Sequence, residues 1–254
     1  DTLRLRAEAV GDLVRQARAA GYRGLNVTHP CKQLVIPHLD GLDPAAEAIG
    51  AVNTVVLDGD CAIGHNTDWT GFRDGLLDGL PDARLDRVVL VGAGGAGAAA
   101  GHALLTIGAG TVDVLDVDAR RAGRLAAELA DRFGAGRAAG GAMSEVAARV
   151  AAADGVVHAT PTGMSEHPGL PFPAALLRPE LWVAEIVYRP LDTELLRAAR
   201  AAGCPTLDGG RMAVHQAAEA FRLFTGVAAD VGRMREHLTE LVRAEAGGGG
   251  DRVA

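Results

Sequence analysis

The fold of this 254-residue chain is decided by one stretch, RVVLVGAGGAGAAA, at residues 87–100. It begins with a nearly continuous apolar run, which is typical of a strand buried on both faces of a parallel sheet. The glycines that follow have the spacing G-x-G-x-x-G, and they open an alanine-rich helical pattern. Glycines let the backbone approach a pyrophosphate closely, and the helix N-terminus offers it free N–H groups. The stretch therefore predicts a dinucleotide site that comprises Gly92, Ala93, Gly94, Gly95, Ala96 and Gly97.

Strands and helices alternate after this stretch. The hydrophobic periodicity predicts further strands at 111–115, 155–158 and 182–186, and helices at 120–133 and 192–202. This alternation predicts a Rossmann-type, doubly wound parallel sheet.

The region before residue 81 has a different pattern. It predicts a helix over 3–20, a strand over 22–27, a hairpin with strands at 51–57 and 61–66, and a helix over 70–80. We therefore predict the α/β fold class with two domains, and expect the mostly helical residues 211–243 to return to the first domain. The predicted domains are an α/β substrate domain at 1–70 plus 209–245 and an NAD-binding Rossmann domain at 71–208, with a disordered tail at 246–254.

An acidic residue stands where a dinucleotide-binding unit needs one. Asp116 ends the second predicted strand, 19 residues after Gly97, and its carboxylate can accept hydrogen bonds from both hydroxyls of an adenosine ribose. The same charge would repel a 2′-phosphate, which favours NAD over NADP. Arg120 and Arg121 follow closely and could bind such a phosphate, although Arg121 could equally lie along the adenine.

Composition argues against several kinds of partner. The formal net charge is −7 and no basic stripe is present, so nucleic acid is not expected to bind. No apolar run reaches the ~18 residues of a membrane span, and no signal peptide opens the chain. The three cysteines are widely scattered and show no metal-ligand spacing. We therefore expect a cytoplasmic protein with reduced thiols, no membrane contact and no metal.

Polar side chains cluster at the ends of the predicted strands before residue 73. Lys32 and Asp68 lie in two of these segments and could share one cleft. A lysine with a neighbouring carboxylate can accept the hydroxyl proton when hydride leaves a carbinol carbon. From spacing alone, Lys32 could as well be an ordinary solvated lysine.

Six segments together resemble the signature motifs of the shikimate/quinate dehydrogenase family. They lie at 26–32, 50–54, 66–72, 159–164, 208–216 and 221–226. The resemblance implies that Lys32 and Asp68 form the catalytic pair and that Thr28, Asn53, Gln216 and Tyr188 contact the substrate. It also implies cofactor contacts from Thr160, Val187, Gly209 and Met212. The histidines inside these motifs, His29, His65 and His215, are expected to be tolerated variants rather than a metal triad.

Two departures from the family pattern are informative. NADP-using relatives usually carry Asn-Arg-Thr after the second strand, whereas this chain has Asp116 at that position and so resembles the NAD-preferring quinate/shikimate dehydrogenases. The family also begins with a strand and a Ser-x-Ser or Ser-x-Thr loop that holds the substrate carboxylate. Nothing before Leu3 can supply that loop, and we expect the recorded N-terminus to be incomplete.

The resemblance predicts NAD-dependent, reversible oxidation of the C3 hydroxyl of quinate, shikimate or both. The alternatives are an NADP-dependent shikimate dehydrogenase of aromatic amino-acid biosynthesis, a related dehydrogenase for an amino-substituted ring, and an NAD-binding regulatory protein without catalysis. The expected partner is the small-molecule substrate, and the chain is expected to be a monomer or a homodimer.

Overall fold

The computed structural model describes residues 9–28 and 30–247. The predicted helix start at 3–8, His29 and residues 248–254 of the predicted tail lie outside the described residues. The strands are β1 Gly24–Asn26, β2 Gly41–Leu42, β3 Thr54–Asp58, β4 Cys61–His65, β5 Arg87–Val91, β6 Thr111–Asp116, β7 Ala138–Ala142, β8 Gly155–His158, β9 Trp182–Glu185 and β10 Thr206–Leu207. The helices are α1 Val10–Ala19, α2 Cys31–Leu34, α3 Pro44–Ile49, α4 Thr67–Gly79, α5 Gly95–Thr106, α6 Ala119–Phe133, α7 Val146–Ala151, α8 Glu194–Ala201, α9 Gly209–Thr225 and α10 Val231–Gly247.

The larger sheet is parallel throughout, with the strand order β10-β9-β8-β5-β6-β7. The order reverses at β5, so the loops after β5 and β8 open a crevice at the carboxyl edge. This confirms the predicted Rossmann-type sheet and places the glycine-rich turn after β5 in that crevice.

Strand β5 explains why its sequence is a continuous apolar run. Val88 and Leu90 pack into one hydrophobic core, and Val89 and Val91 pack into another on the opposite face of the sheet. All four side chains are almost completely buried. Each such burial contributes roughly 1.5–3 kcal/mol to folding, so both layers of helices are held to this strand.

The smaller sheet has the order β1-β3-β4-β2. Strands β3 and β4 form the predicted antiparallel hairpin, and Gly59 takes the left-handed conformation that the two-residue turn requires. Val10 and Val14 of α1 and Val55 of β3 share a third core. The chain is thus a two-domain α/β protein.

Several elements differ from the sequence predictions. Helix α4 begins at Thr67 rather than at residue 70, because the Asn66 side chain caps it. The helix therefore runs through the predicted domain boundary at 70/71, and that boundary stays a prediction. Three edge strands, β2, β7 and β10, and the short helices α2 and α7 were not predicted. None of the helices in the described part of the chain is long and apolar enough to cross a membrane.

Candidate active site

Lys32 and Asp68 meet at one end of the smaller sheet, where β3 begins and β4 ends. Lys32 lies in the single turn of α2 and Asp68 in the first turn of α4, and Nζ donates to Oδ2 over 2.5 Å. The side chains are 22% and 10% exposed, so solvent reaches the lysine tip but screens the pair weakly. Lys32 is also the only lysine in the chain, among 25 cationic side chains. An amine rather than a guanidinium therefore faces this cleft, and an amine is the cation that can exchange a proton.

The start of α4 fixes Asp68 in position. Asn66 Oδ1 accepts from the main-chain N–H groups of Asp68 and Trp69, at 3.1 and 3.3 Å. Its Nδ2 donates to the carbonyl of Ala51 over 2.9 Å, which ties the cap to the segment before β3. A carboxylate in the first turn is favoured by the helix dipole. Asp68 therefore projects from a rigid helix end and not from the strand tip that the sequence suggested.

Asn53 connects the catalytic pair with the rest of the cluster. It is only 4% exposed, and its Nδ2 lies 2.9 Å from Asp68 Oδ1 and 3.0 Å from the hydroxyl of Thr67. Its Oδ1 accepts from the main-chain N–H of Thr67 over 2.6 Å. Gln216 Oε1, from α9, lies 3.4 Å from the same Nδ2. The structure thus brings together four predicted site residues: Lys32, Asn53, Asp68 and Gln216.

The other two predicted substrate residues lie on loops. Thr28 follows β1 and is exposed, and its carbonyl accepts from the N–H of Cys31 over 2.8 Å. The chain just before it is fixed by a 2.7 Å hydrogen bond from the Val27 N–H to the carbonyl of Asn53. Tyr188 follows β9 and is 45% exposed. Their contacts with a substrate stay predictions.

The glycine-rich turn after β5 has the shape of a phosphate cradle. Gly92 has φ 111°, and a Cβ there would stand 2.5 Å from the carbonyl oxygen of Ala159. A Cβ on Gly97 would collide with the carbonyl of Gly92. By contrast, Gly94 and Gly95, at the start of α5, have open space around their Cβ positions. The turn is therefore closed toward the protein and open toward the crevice, where the helix N-terminus can receive a pyrophosphate.

Asp116 lies beside this turn, as the spacing predicted. Its Oδ2 accepts from the N–H of Ala93 over 2.8 Å, and its Oδ1 accepts from the N–H of Asp118 over 2.9 Å. Arg121 approaches Oδ1 to 3.2 Å. Asp118 caps α6, so the two acidic residues have separate tasks. The buried Asp116 carboxylate is oriented from two sides.

The remaining predicted cofactor residues line the other half of the carboxyl edge. Thr160 follows β8 and Val187 follows β9, and a Cβ on Gly209 would stand 2.5 Å from the carbonyl oxygens of both Ile186 and Val187. Met212 is 8% exposed and belongs to the core beneath α9. Its contact with a cofactor stays a prediction.

Sequence reasoning did not assign a role to two buried groups beneath these loops, His158 and Glu185. Nδ1 of His158 lies 2.9 Å from Glu185 Oε1, and both side chains are fully buried. A carboxylate within the apolar run of β9 was the available signal. Within the described residues, no group of three or more His, Cys, Asp or Glu side chains could hold a metal ion.

The fold and these two sites define an oxidoreductase that uses a pyridine nucleotide. Family models agree: the shikimate dehydrogenase substrate binding domain matches residues 1–55, and the shikimate 5′-dehydrogenase C-terminal domain matches residues 210–239. A shikimate dehydrogenase (NADP(+)) from Streptomyces avermitilis is 62% identical over 95% of this chain and 83% of its own length. A quinate/shikimate dehydrogenase (NAD(+)) from Corynebacterium glutamicum is 50% identical over 95% of this chain and 86% of its own.

A solved structure extends the comparison. Quinate dehydrogenase from Corynebacterium glutamicum in complex with NAD superposes with a TM-score of 0.89 at 49% identity, over 94% of this chain and 86% of that one. The chain belongs to the shikimate dehydrogenase family. It is therefore an enzyme of the shikimate/quinate dehydrogenase kind with a small-molecule substrate.

Proposed function

We propose that the enzyme uses NAD to oxidise the C3 ring hydroxyl of quinate, shikimate or both to the 3-dehydro ketone. The proposal is carried by the Lys32–Asp68 pair, together with a nucleotide crevice whose second strand ends in Asp116. The division into a substrate domain and a cofactor domain, at the predicted boundaries, is part of the same proposal.

The chain's own residues have distinct tasks in the reaction. A bound nicotinamide would supply the acceptor for the hydride that leaves the carbinol carbon. Lys32 Nζ receives the hydroxyl proton on the oxidation side and returns it in reduction. Asp68 orients that amine, and Asn53 holds the second oxygen of Asp68. Asn53, Thr28, Gln216 and Tyr188 offer neutral donors and acceptors that suit a polyhydroxylated ring.

The cofactor preference rests on Asp116. Its Oδ2 accepts one hydrogen bond, from the N–H of Ala93, and keeps a lone pair for a ribose hydroxyl, while its negative charge opposes a 2′-phosphate. Arg121 contacts this carboxylate, so the positive charge of Arg121 is partly engaged by Asp116. The second candidate is NADP, which is favoured by the NADP-dependent relative at 62% identity and by the exposed Arg120 close by.

Steady-state kinetics test the proposal directly. Initial rates with quinate and with shikimate, each with NAD and with NADP, give four values of kcat/KM. We expect NAD to be preferred, and Asp116→Ala to weaken NAD and to reduce that preference. Arg124→Ala, at an exposed arginine one turn further along α6, is the control for a charge change nearby. Equal use of both cofactors by the unmodified enzyme would contradict the NAD assignment.

The catalytic assignment is tested separately. Lys32→Ala should lower kcat by about 10²–10⁴-fold, the usual contribution of general acid–base catalysis, while NAD still binds. Undiminished turnover in that variant would overturn the role of Lys32. Saturable NAD binding without turnover on any hydroxy acid, including amino-substituted rings, would instead indicate a regulatory protein.

A further inference from the structure

A fully buried polar chain runs beneath the loops that follow β8 and β9. It consists of His158, at the end of β8, Glu185, at the end of β9, and Thr193, which caps α8. Each of the three is at most 2% exposed. Burying such groups is costly unless all of their hydrogen bonds are made, so this arrangement needs a reason.

The hydrogen bonds of this chain converge on two cofactor loops. Glu185 Oε1 accepts from the main-chain N–H of Val187 over 3.0 Å, and Oε2 accepts from the Thr193 hydroxyl over 3.1 Å. The second ring nitrogen of His158, Nε2, lies 2.5 Å from the hydroxyl of Thr160. One histidine and one carboxylate therefore fix the loop after β8 relative to the loop after β9.

The chemistry of the groups sets the direction of these hydrogen bonds. An ionised carboxylate can only accept, so Nδ1 of His158 carries the hydrogen and donates to Glu185. In the neutral imidazole, Nε2 is then an acceptor, and the Thr160 hydroxyl donates to it. The Thr160 oxygen also accepts weakly from the N–H of Thr162, at 3.3 Å. Its remaining lone pair is available on a half-buried residue at the crevice.

The position of Thr160 indicates which part of the cofactor it meets. Asp116 lies in the half of the sheet formed by β5, β6 and β7, which receives the adenosine. Thr160 lies in the other half, and its methyl group packs against the turn at Gly92: a Cβ there would stand 2.9 Å from Thr160 Cγ2. The nicotinamide half of a bound dinucleotide would lie on this side, and its carboxamide carries N–H donors.

We infer that His158 is a positioning residue, which holds the Thr160 hydroxyl as an acceptor for the nicotinamide carboxamide. The inference rests on the proposed function, because it requires a pyridine nucleotide in this crevice. His158 itself is 0% exposed and cannot touch the reactants, so it acts through Thr160.

Two substitutions separate the two sides of the imidazole. His158→Asn places an amide where Nδ1 was, keeps a donor for Glu185 and removes the partner of Thr160. His158→Gln places an amide oxygen near the position of Nε2 and keeps that partner. Thr160→Val removes the hydroxyl at constant shape, and Thr160→Ser restores it.

The readout compares two ligands that differ only in the nicotinamide. We expect His158→Asn to weaken the binding of NAD by about three- to tenfold, the cost of one lost hydrogen bond, and to leave ADP-ribose binding unchanged. His158→Gln and Thr160→Ser should bind NAD nearly as the unmodified enzyme does. In the Thr160→Val background, His158→Asn should cause no further loss, since both changes remove the same contact.

Parallel titrations with NADP and 2′-phospho-ADP-ribose keep this test separate from the cofactor assignment. Tighter binding of these two ligands than of NAD and ADP-ribose would contradict the proposed NAD specificity. The effect of His158→Asn on the nicotinamide would still be measured by comparing each dinucleotide with its own nicotinamide-free form. Equal weakening of the dinucleotide and of its nicotinamide-free form by His158→Asn would show a general structural role. That result, or additive losses in the double variant, would overturn the inference.

Discussion

His102 makes the stability of this enzyme depend on pH. The side chain lies in α5, between the rings of Trp69 and Phe133, with centroid distances of 5.3 Å to each. Its Nδ1 is buried and has no hydrogen-bond partner within the part of the chain that the structure describes. Trp69 directly follows Asp68 in α4, so protonation of this imidazole would disturb the packing behind the catalytic carboxylate.

The size of the effect follows from the pKa of His102. Burial, together with the positive charge of Arg132, lowers that pKa from 6.5 to about 4, and the charge of Asp43 partly opposes the change. The folded protein therefore binds the proton more weakly than the unfolded chain. Stability is fully present above pH 6.5 and is lost as the pH falls toward 4. A tenfold difference in proton affinity corresponds to 1.36 kcal/mol, so the loss is about 3 kcal/mol in full, and most of it, roughly 2–3 kcal/mol, has occurred at pH 4.5.

Replacement of His102 by Phe tests this value, because Phe keeps an aromatic ring between the two neighbours and cannot be protonated. Urea unfolding at pH 7.5 and pH 4.5 gives the free energy of unfolding at each pH. The unmodified enzyme should lose roughly 2–3 kcal/mol more than His102→Phe between these values. His237→Gln, at an exposed histidine of α10, is the control and should behave like the unmodified enzyme. The same loss in all three proteins would refute the argument.

Three other predictions concern the two sites. Gly97→Ala should abolish NAD binding and lower the melting temperature, because the Cβ of the new alanine would collide with the glycine-rich turn. Gly123→Ala, in open space on α6, should instead stabilise the protein by about 0.5–1 kcal/mol. Asn53→Ala should destabilise the protein by roughly 1–3 kcal/mol, measured by urea unfolding, since the buried N–H of Thr67 loses its acceptor, and kcat should fall with it. Reductive methylation should modify a single side-chain amine, that of Lys32, and mass spectrometry should show that shikimate or quinate slows it while ADP-ribose does not.

The centre of the larger sheet could be predicted from the sequence, and its edges could not. Strand β5 is apolar because both of its faces are buried, and that pattern survives in any protein with such a strand. Strand β7 reads AAGGA, and these residues have low β propensity and no alternation. It forms because β6 offers a row of unpaired main-chain groups, and a Cβ on Gly140 would stand 2.6 Å from the backbone of α6. The position of β7 is therefore determined by close packing against α6, which leaves no local pattern in the sequence.

The glycine turn and Asp116 could be located from spacing, since one strand–turn–helix unit fixes their separation. The geometry of the catalytic cluster could not. Asp68 was assigned to a strand tip, whereas the cap formed by Asn66 starts α4 three residues earlier than the apolar periodicity suggested. Asparagine favours helix caps and turns about equally, so the sequence alone did not distinguish these roles.

The position of Gln216 shows why long-range packing decides this site. A Cβ on Gly71 would stand 2.6 Å from Cβ of Gln216, and one on Gly75 would stand 3.2 Å from the main-chain nitrogen of Met212. These two glycines are four residues apart, so they lie on one face of α4 and let α9 approach it closely. The approach brings a residue 163 positions away to 3.4 Å from Asn53. Glycines that weaken the helix locally thus join the C-terminal segment to the catalytic cluster, and their role becomes visible only when both helices are in place.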